Sequence, residues 1–404
     1  MIIKKKVEKK KTHKIINKFL LYYFLLSLIL ISSTSFILIN SAKFKIEKSE
    51  LLDKISRAGR LNYIHLPQIL YGALKSKFHN FEKIKLDMSF EDILIIENLR
   101  DQSLKKQSLP PRHLIPKINI DIRYNDQKLS GDARLKGDRI DHYRSKKETS
   151  YKVELDKGNY LFGMKKFSIQ KPFIRNYIHE WIFHELSKEF GIIKLTYEFI
   201  DLYLNGENYG LFVLEEGFGK ELIERNNRRN GPIFSLNEDL HKSNLKPIFE
   251  IYNKKYWESE QNRKIVSTAA QKLRNFFENE EVAENIFDLD KWASYFAIID
   301  LTGTWHGALL KSVKFYYNPI SGLFEPIPFD GHRHKPNYHK YNLNYDNRIL
   351  IDIVQNPLGD EISGFTWLRK FFYKDKKLNN SFYNLYASYL SKISKKDYID
   401  KFLK

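Results

Sequence analysis

The stretch SVKFYYNPISGLFEPIPFD, residues 312–330, decides how the rest of the chain is read. It runs as an aromatic strand, an Asn-Pro/Ser-Gly turn and a second strand, and it closes on a single carboxylate, Asp330. A carboxylate just past a hairpin sits at a sheet edge, rigid on one side and open to solvent on the other. That position suits magnesium, which takes few carboxylates and completes its shell with substrate oxygens and water. Asp330 is thus a candidate metal ligand; the bland alternative is a turn cap.

Upstream of this hairpin the residue pattern is that of a sheet. From Lys117 the period is two, with Ile118, Ile120 and Ile122 on one face and Asn119, Asp121 and Arg123 on the other. Further strands are expected over 127–136, 149–156, 160–170, 196–204, 208–215 and 231–236. Asn205-Gly206 marks a hairpin turn. A helix over 174–190, stopped by Gly191, interrupts the strands. Beyond about residue 255 the pattern is mainly helical, over 260–279, 289–301 and 361–404, with the opening hairpin between. Residues 43–105 are read as helical, with Ser49 and Ser89 as N-caps, and the paired prolines at 110–111 end that region. The expectation is an α+β chain with a β-rich first half and a helical second half.

Composition narrows the partners. The 404 residues carry a formal net charge of +19, with 29 Phe, 25 Tyr and no cysteine. Thiol catalysis, zinc-thiolate centres and disulfide frameworks are excluded. The basic excess favours phosphorylated ligands, anionic lipid or nucleic acid. Nucleic acid is the weakest of these, because no helix-turn-helix, finger or RNA-recognition signature is present.

Eight lysines in residues 1–18 precede FLLYYFLLSLILISSTSFILIN, residues 19–40, which holds no charge. Such a segment spans roughly 33 Å as a helix, the thickness of a bilayer core. It is longer than the apolar region of a signal peptide and lacks an Ala-x-Ala site, so an uncleaved anchor is favoured over a cleaved leader. The lysines place the N-terminus in the cytoplasm and residues 41–404 outside it, as a single-pass membrane protein.

Four constellations carry candidate chemistry. Arg134, Lys136, Lys147 and Lys152 lie on or beside strands, where a cation can hold phosphate oxygens; a solvated strand face is the plain alternative. Glu215 and Glu216 end the 204–216 hairpin, and one of them can hold a strand lysine as protein kinases do; two solvent-facing acids at a strand end are the plain alternative. Asp300 and His306, after a helix, are candidate bases. Asp330 with His332, His334 and nearby His339 offers a His/Asp metal site, which would instead make a metallohydrolase.

Six segments in order resemble the spore coat protein H (CotH) kinase-like family. They are RLKGD at 134–138, KKETSYKVEL at 146–155, FGMKKFSIQ at 162–170, IRNYIHEWIFHEL at 174–186, LYLNGENYGLFVLEEGF at 202–218 and KFYYNPISGLFEPIPFDGH at 314–332. The version here is similar to the membrane-anchored or exported bacterial branch. The resemblance implies a divergent protein-kinase-like fold of two lobes, β-rich then mainly helical, binding ATP and Mg2+. It implies an atypical protein kinase that passes the γ-phosphoryl group to a protein or cell-envelope acceptor.

Residue by residue, the resemblance makes Lys152 the phosphate-binding lysine, with Lys147 as the alternative and Arg134 beside them. It makes Glu216 the acid that positions the lysine, and Asp330 the metal ligand. Where spore-coat members carry Asp and then Asn before the aromatic strand, this chain has His306 and Ser312, with Asp300 earlier. His306 or Asp300 would then orient the acceptor hydroxyl; a non-catalytic envelope assembly or binding protein is the alternative. The implied layout is a basic cytoplasmic segment over 1–18, an anchor over 19–40 and a helical stalk over 41–110. The kinase-like domain follows over 111–340, and a helical extension of the second lobe over 341–404.

Overall fold

The computed structural model describes residues 80–137, 139–237, 247–331, 366–374 and 377–403. The basic segment, the apolar stretch 19–40, most of the stalk, and His332, His334 and His339 lie outside the described residues. The described residues from Phe81 onward belong to one compact unit. Among the described residues no helix is long and apolar enough to cross a membrane.

Seven strands close a barrel: β1 (Glu82–Asp87), β2 (Ile118–Tyr124), β3 (Gln127–Leu135), β4 (Tyr151–Leu155), β5 (Lys166–Gln170), β6 (Tyr197–Leu204) and β7 (Glu207–Glu216). The order is β1-β2-β3-β4-β5-β7-β6. All pairs are antiparallel except the closing one, in which Ile84 pairs with Leu202 and Leu86 with Leu204 in parallel register. Alternation explains the barrel. Ile118, Ile120, Ile122, Ala133, Leu135, Val153, Leu155, Phe167, Ile169 and Leu214 all point inward and are buried, while the residues between them face out.

Residues 82–87 were expected within a helical stalk; they are a strand. Ile84 and Leu86 fill the barrel, and Lys83 and Lys85 are exposed. The two-residue period is short, and of its two partners, β2 and β6, the second lies over a hundred residues away, so local pattern alone does not reveal it. Asn205, in the left-handed turn after β6, holds the junction. Its side chain accepts from Met88 N at 2.8 Å and donates to Met88 O at 2.9 Å. Helix α1 (Phe90–Lys106) follows, capped by Ser89 as its sequence predicts.

Helix α2 (His179–Glu189) lies between β5 and β6, and α3 (Lys220–Arg225) follows β7. A second sheet has the order β11-β10-β8-β9, from β8 (Ile233–Leu236), β9 (Phe249–Ile251), β10 (Lys314–Asn318) and β11 (Leu323–Ile327). Helices α4 (Glu260–Phe277), α5 (Leu289–Thr302), α6 (Asn380–Ile393) and α7 (Lys396–Phe402) complete the described part, with shorter turns between. Their core is aromatic, with Trp292, Phe296, Phe315, Phe324, Trp367 and Phe371 all buried together. Trp292 Nε1 donates to Phe324 O at 2.8 Å and fixes α5 to the β10–β11 hairpin. Tyr295 on the same helix donates to Gly307 O at 2.8 Å and holds the loop that leads into that hairpin.

Candidate functional site

The site is built on the outer face of the barrel. Leu135, Val153, Ile169 and Leu214 point inward, so their neighbours Arg134, Lys152, Ser168 and Glu215 point outward. These four stand in one cross-strand row, Arg134 opposite Lys152, Lys152 opposite Ser168 and Ser168 opposite Glu215. Tyr197 of β6 extends the row beyond Glu215. Lys136 leaves the end of β3 and reaches across this face. Its Nζ donates to Gln170 Oε1 at 2.9 Å and to Glu215 Oε2 at 2.7 Å. The small, buried Ser150 and Ser168 leave room for that reach.

Arg175 joins this pair to the second sheet. It ends the 3-10 turn Pro172–Arg175 that precedes α2. Its Nε donates to Glu215 Oε1 at 3.3 Å, and its Nη1 donates to Asp330 Oδ1. The other carboxylate oxygen, Asp330 Oδ2, accepts from Ser312 Oγ at 3.0 Å and lies 2.5 Å from His306 Nδ1. A continuous chain of polar contacts thus runs Gln170–Lys136–Glu215–Arg175–Asp330–Ser312/His306. Two cations meet two carboxylates, which is how such charges survive burial.

Asp330 has φ 63°, a left-handed conformation that a non-glycine residue adopts at some cost. The next residue explains the tight turn. A Cβ on Gly331 would lie 2.2 Å from Phe183 Cδ1 of α2. Phe183 also packs beside Gly307, next to His306. One buried ring of α2 therefore sets the backbone on which both His306 and Asp330 ride.

Electrostatics follow from this packing. Burial acts against the Glu215 carboxylate, but Lys136 and Arg175 more than offset it, and its pKa falls well below the usual range. Burial likewise opposes the charge on Arg175, and Asp330, Glu215 and Glu180 outweigh it, raising its pKa. Lys136 is pulled below the ordinary lysine value by burial, which Glu215 restores only in part. His142 packs against Gly137, where φ is 110° and no side chain fits. Burial, then Lys136 and Arg175, bring its imidazole down to about 2, so it stays neutral beside the cations.

The candidates read from sequence fall into two groups. Asp330 and His306 are in direct contact, and Arg134 and Lys152 stand in the barrel row that leads to Glu215. Lys152 is exposed, yet desolvation by its surroundings and then the charges of Arg134 and Lys136 bring it down to about 8. The remaining three stand apart from the cluster. Lys147 pairs with Glu207 at 2.7 Å on the surface. Glu216 pairs with Arg225 and accepts from Thr196 N at 2.9 Å. Asp300 is buried between α5 and α6, where Tyr386 donates to its Oδ2 at 2.5 Å. Lys152 and Glu216 have opposite parity on the barrel, and a lysine–glutamate pair on its outer face is Lys136–Glu215.

Arg175 and Gln170 were not singled out from sequence. A lone Arg at the end of an apolar Pro-Phe-Ile turn was the available signal for the first; Gln170 gave none. Among the described residues no group of three or more His, Asp or Glu is arranged to hold a metal. What the site offers a metal is the Asp330 carboxylate, with Glu215 behind Arg175. That donor set fits magnesium, which draws its remaining ligands from phosphate and water. A groove of about 600 Å³ bordered by Lys220, Arg229, Tyr256 and Ile320 shares none of these residues.

No curated protein matches the chain. A family model described as CotH kinase protein matches residues 133–401, a span that includes every residue of the cluster. With more than half of the chain inside that match, the protein belongs to the CotH kinase family.

Proposed function

We propose that the protein is a kinase-like phosphotransferase that uses ATP with magnesium and phosphorylates a protein or cell-envelope acceptor. The observation that carries the reading is the buried chain Lys136–Glu215–Arg175–Asp330, which joins the barrel to the β10–β11 hairpin. Protein kinases need a strand lysine held by a glutamate and, across the cleft, an aspartate for the metal. Here Lys136 takes the first role, Glu215 the second and Asp330 the third. The barrel and the helix-rich part with its own sheet would be the two lobes.

Magnesium, when bound, would be held by Asp330 and would supply positive charge against the phosphate oxygens. The rest of the work falls to the chain. Lys136, oriented by Glu215 and Gln170, holds phosphate oxygens as a fixed point charge. Arg134 and Lys152 add positive potential along the path of a polyphosphate. Asp330 supplies the carboxylate, and Ser312 steadies it. His306, with Nδ1 against Asp330, is placed to orient an acceptor hydroxyl and take its proton through the opposite ring nitrogen. An anchor at residues 19–40, a place in the membrane-anchored branch and an extracytoplasmic domain belong to the same proposal.

A second reading is a nucleotide-free binding or assembly protein, with the cluster as a structural ion network. It is favoured by one observation: both Asp330 oxygens are already engaged by protein groups. Incubating the full chain with γ-labelled ATP, Mg2+ and envelope extracts separates the two. Label transfer that is lost in Lys136→Met supports the kinase; absence of both nucleotide binding and transfer supports the assembly reading.

A further inference from the structure

Glu180 sits in the first turn of α2, wholly buried at 0 % exposure, and neither carboxylate oxygen has a hydrogen-bond partner. One turn on, His184 is 1 % exposed and its two ring nitrogens are equally unpartnered; Nε2 lies 3.4 Å from Glu180 Oε1. The hydroxyl of Tyr197, whose ring neighbours His184, is the next unpartnered atom. A buried carboxylate with no hydrogen bond is costly, and here His184 approaches it at 3.4 Å without making one. Its retention here calls for a partner in some arrangement of the site.

Arg175 is the cation whose charge Glu180 acts on, together with Asp330 and Glu215. Between Arg175 and α2 the chain passes through Asn176 and Tyr177, at φ 52° and 65°. Two successive non-glycine residues in the left-handed region make a strained joint, the kind of place where conformational change is stored. In the arrangement seen, Arg175 occupies Asp330 Oδ1, while Ser312 and His306 take Oδ2. A divalent cation therefore cannot engage Asp330 at Oδ1 unless the guanidinium moves.

We infer that Glu180 is a positioning residue for the metal site: it receives the Arg175 guanidinium when Asp330 turns to a divalent cation. The pairing differs between the two arrangements. Arg175 pairs with Asp330 and Glu215 in the first; in the second Arg175 pairs with Glu180, Lys136 keeps Glu215, and Asp330 is given to the metal. His184 lies beside Glu180, and the Tyr197 ring lies beside His184. This inference rests on the reading of Asp330 as a metal ligand.

The test is Mn2+ binding to the full chain, followed by the electron paramagnetic resonance signal of the free ion. Urea unfolding without metal is measured beside it. Glu180→Gln keeps the shape and removes the charge. Losing one charge-assisted contact in the metal-bound arrangement predicts affinity lower by about 10- to 100-fold. Stability without metal should stay the same or rise, because a buried carboxylate that makes no hydrogen bond is replaced by a neutral amide. Glu180→Asp, which keeps the charge on a shorter arm, should fall between the two.

A purely structural Glu180 would lower stability and leave the affinity of the folded protein alone; that result overturns the inference. So does wild-type affinity in both variants while Asp330→Asn abolishes binding. Absence of Mn2+ binding to the wild type overturns the metal-site reading itself, and this inference with it.

Discussion

Replacing Asp300 by asparagine is expected to free the stability of the protein from much of its pH dependence between 4 and 8. Asp300 is buried in α5 beneath α6; Oδ2 accepts from Tyr386, and Oδ1 has no partner. Burial raises its pKa from 3.8 to about 7, and the Tyr386 hydrogen bond holds it back only in part. A raised folded-state value means that folding favours the protonated acid. The stability it lends is fully present below pH 3.8 and is lost as pH rises through about 7. The difference corresponds to roughly 4 kcal/mol at its upper limit. Asparagine is neutral throughout and keeps an acceptor for Tyr386. The variant should therefore match the wild type near pH 4 and exceed it by up to about 4 kcal/mol at pH 8. Urea unfolding across that range measures this directly. Parallel pH profiles for the two proteins would refute the reasoning. Loss of phosphotransfer in the variant without any pH signature would return Asp300 to the role of a base.

Glu215→Gln leaves Lys136 and Arg175 buried with one carboxylate fewer, and should cost about 3–5 kcal/mol in urea unfolding at pH 7. Because the Glu215 pKa is depressed, that loss should shrink as pH falls below 4.5 through its folded-state value. Lys136→Met should abolish nucleotide-dependent thermal stabilisation, whereas Lys152→Met should only weaken it. The contribution of Lys152 should fade as pH rises through about 8, so the two proteins' affinities converge at pH 9. Gly331→Ala drives a methyl into Phe183 and should destabilise by about 1–3 kcal/mol in thermal or urea unfolding. Adding Phe183→Ala should make the pair cost less than the sum of the two single changes.

Much of this architecture is legible in the sequence because its signals are local. The Ile118/Ile120/Ile122 alternation, the Asn205-Gly206 turn, the Ser89 cap and the 314–327 hairpin are each written within a few residues. β1 and β9 are not. Both are short; β1 is closed into the barrel by β6, far along the chain, and β9 is a three-residue strand made by its pairing with β8. The site shows the same division. Asp330 follows a legible hairpin, and His306 a legible helix end. The choice between Lys136 and Lys152 depends on register across four strands, which no single segment encodes. Parity did hold a clue for the acid. Leu135 and Leu214 face inward, so Lys136 and Glu215 share the outer face, while Glu216 has the opposite parity. Asp300 misleads for a related reason: its distance from His306 is short along the chain, but α5 turns it toward Tyr386 instead of the cluster.

The central claim is that Lys136, Glu215 and Asp330 form a metal–nucleotide site. Its most direct test is the melting temperature of the full chain with and without Mg2+ and a non-hydrolysable ATP analogue, in wild type and Asp330→Asn. The account predicts a rise for the wild type that needs both metal and nucleotide and disappears in the variant. An unchanged melting temperature in the wild type, or an equal rise in both proteins, would contradict it.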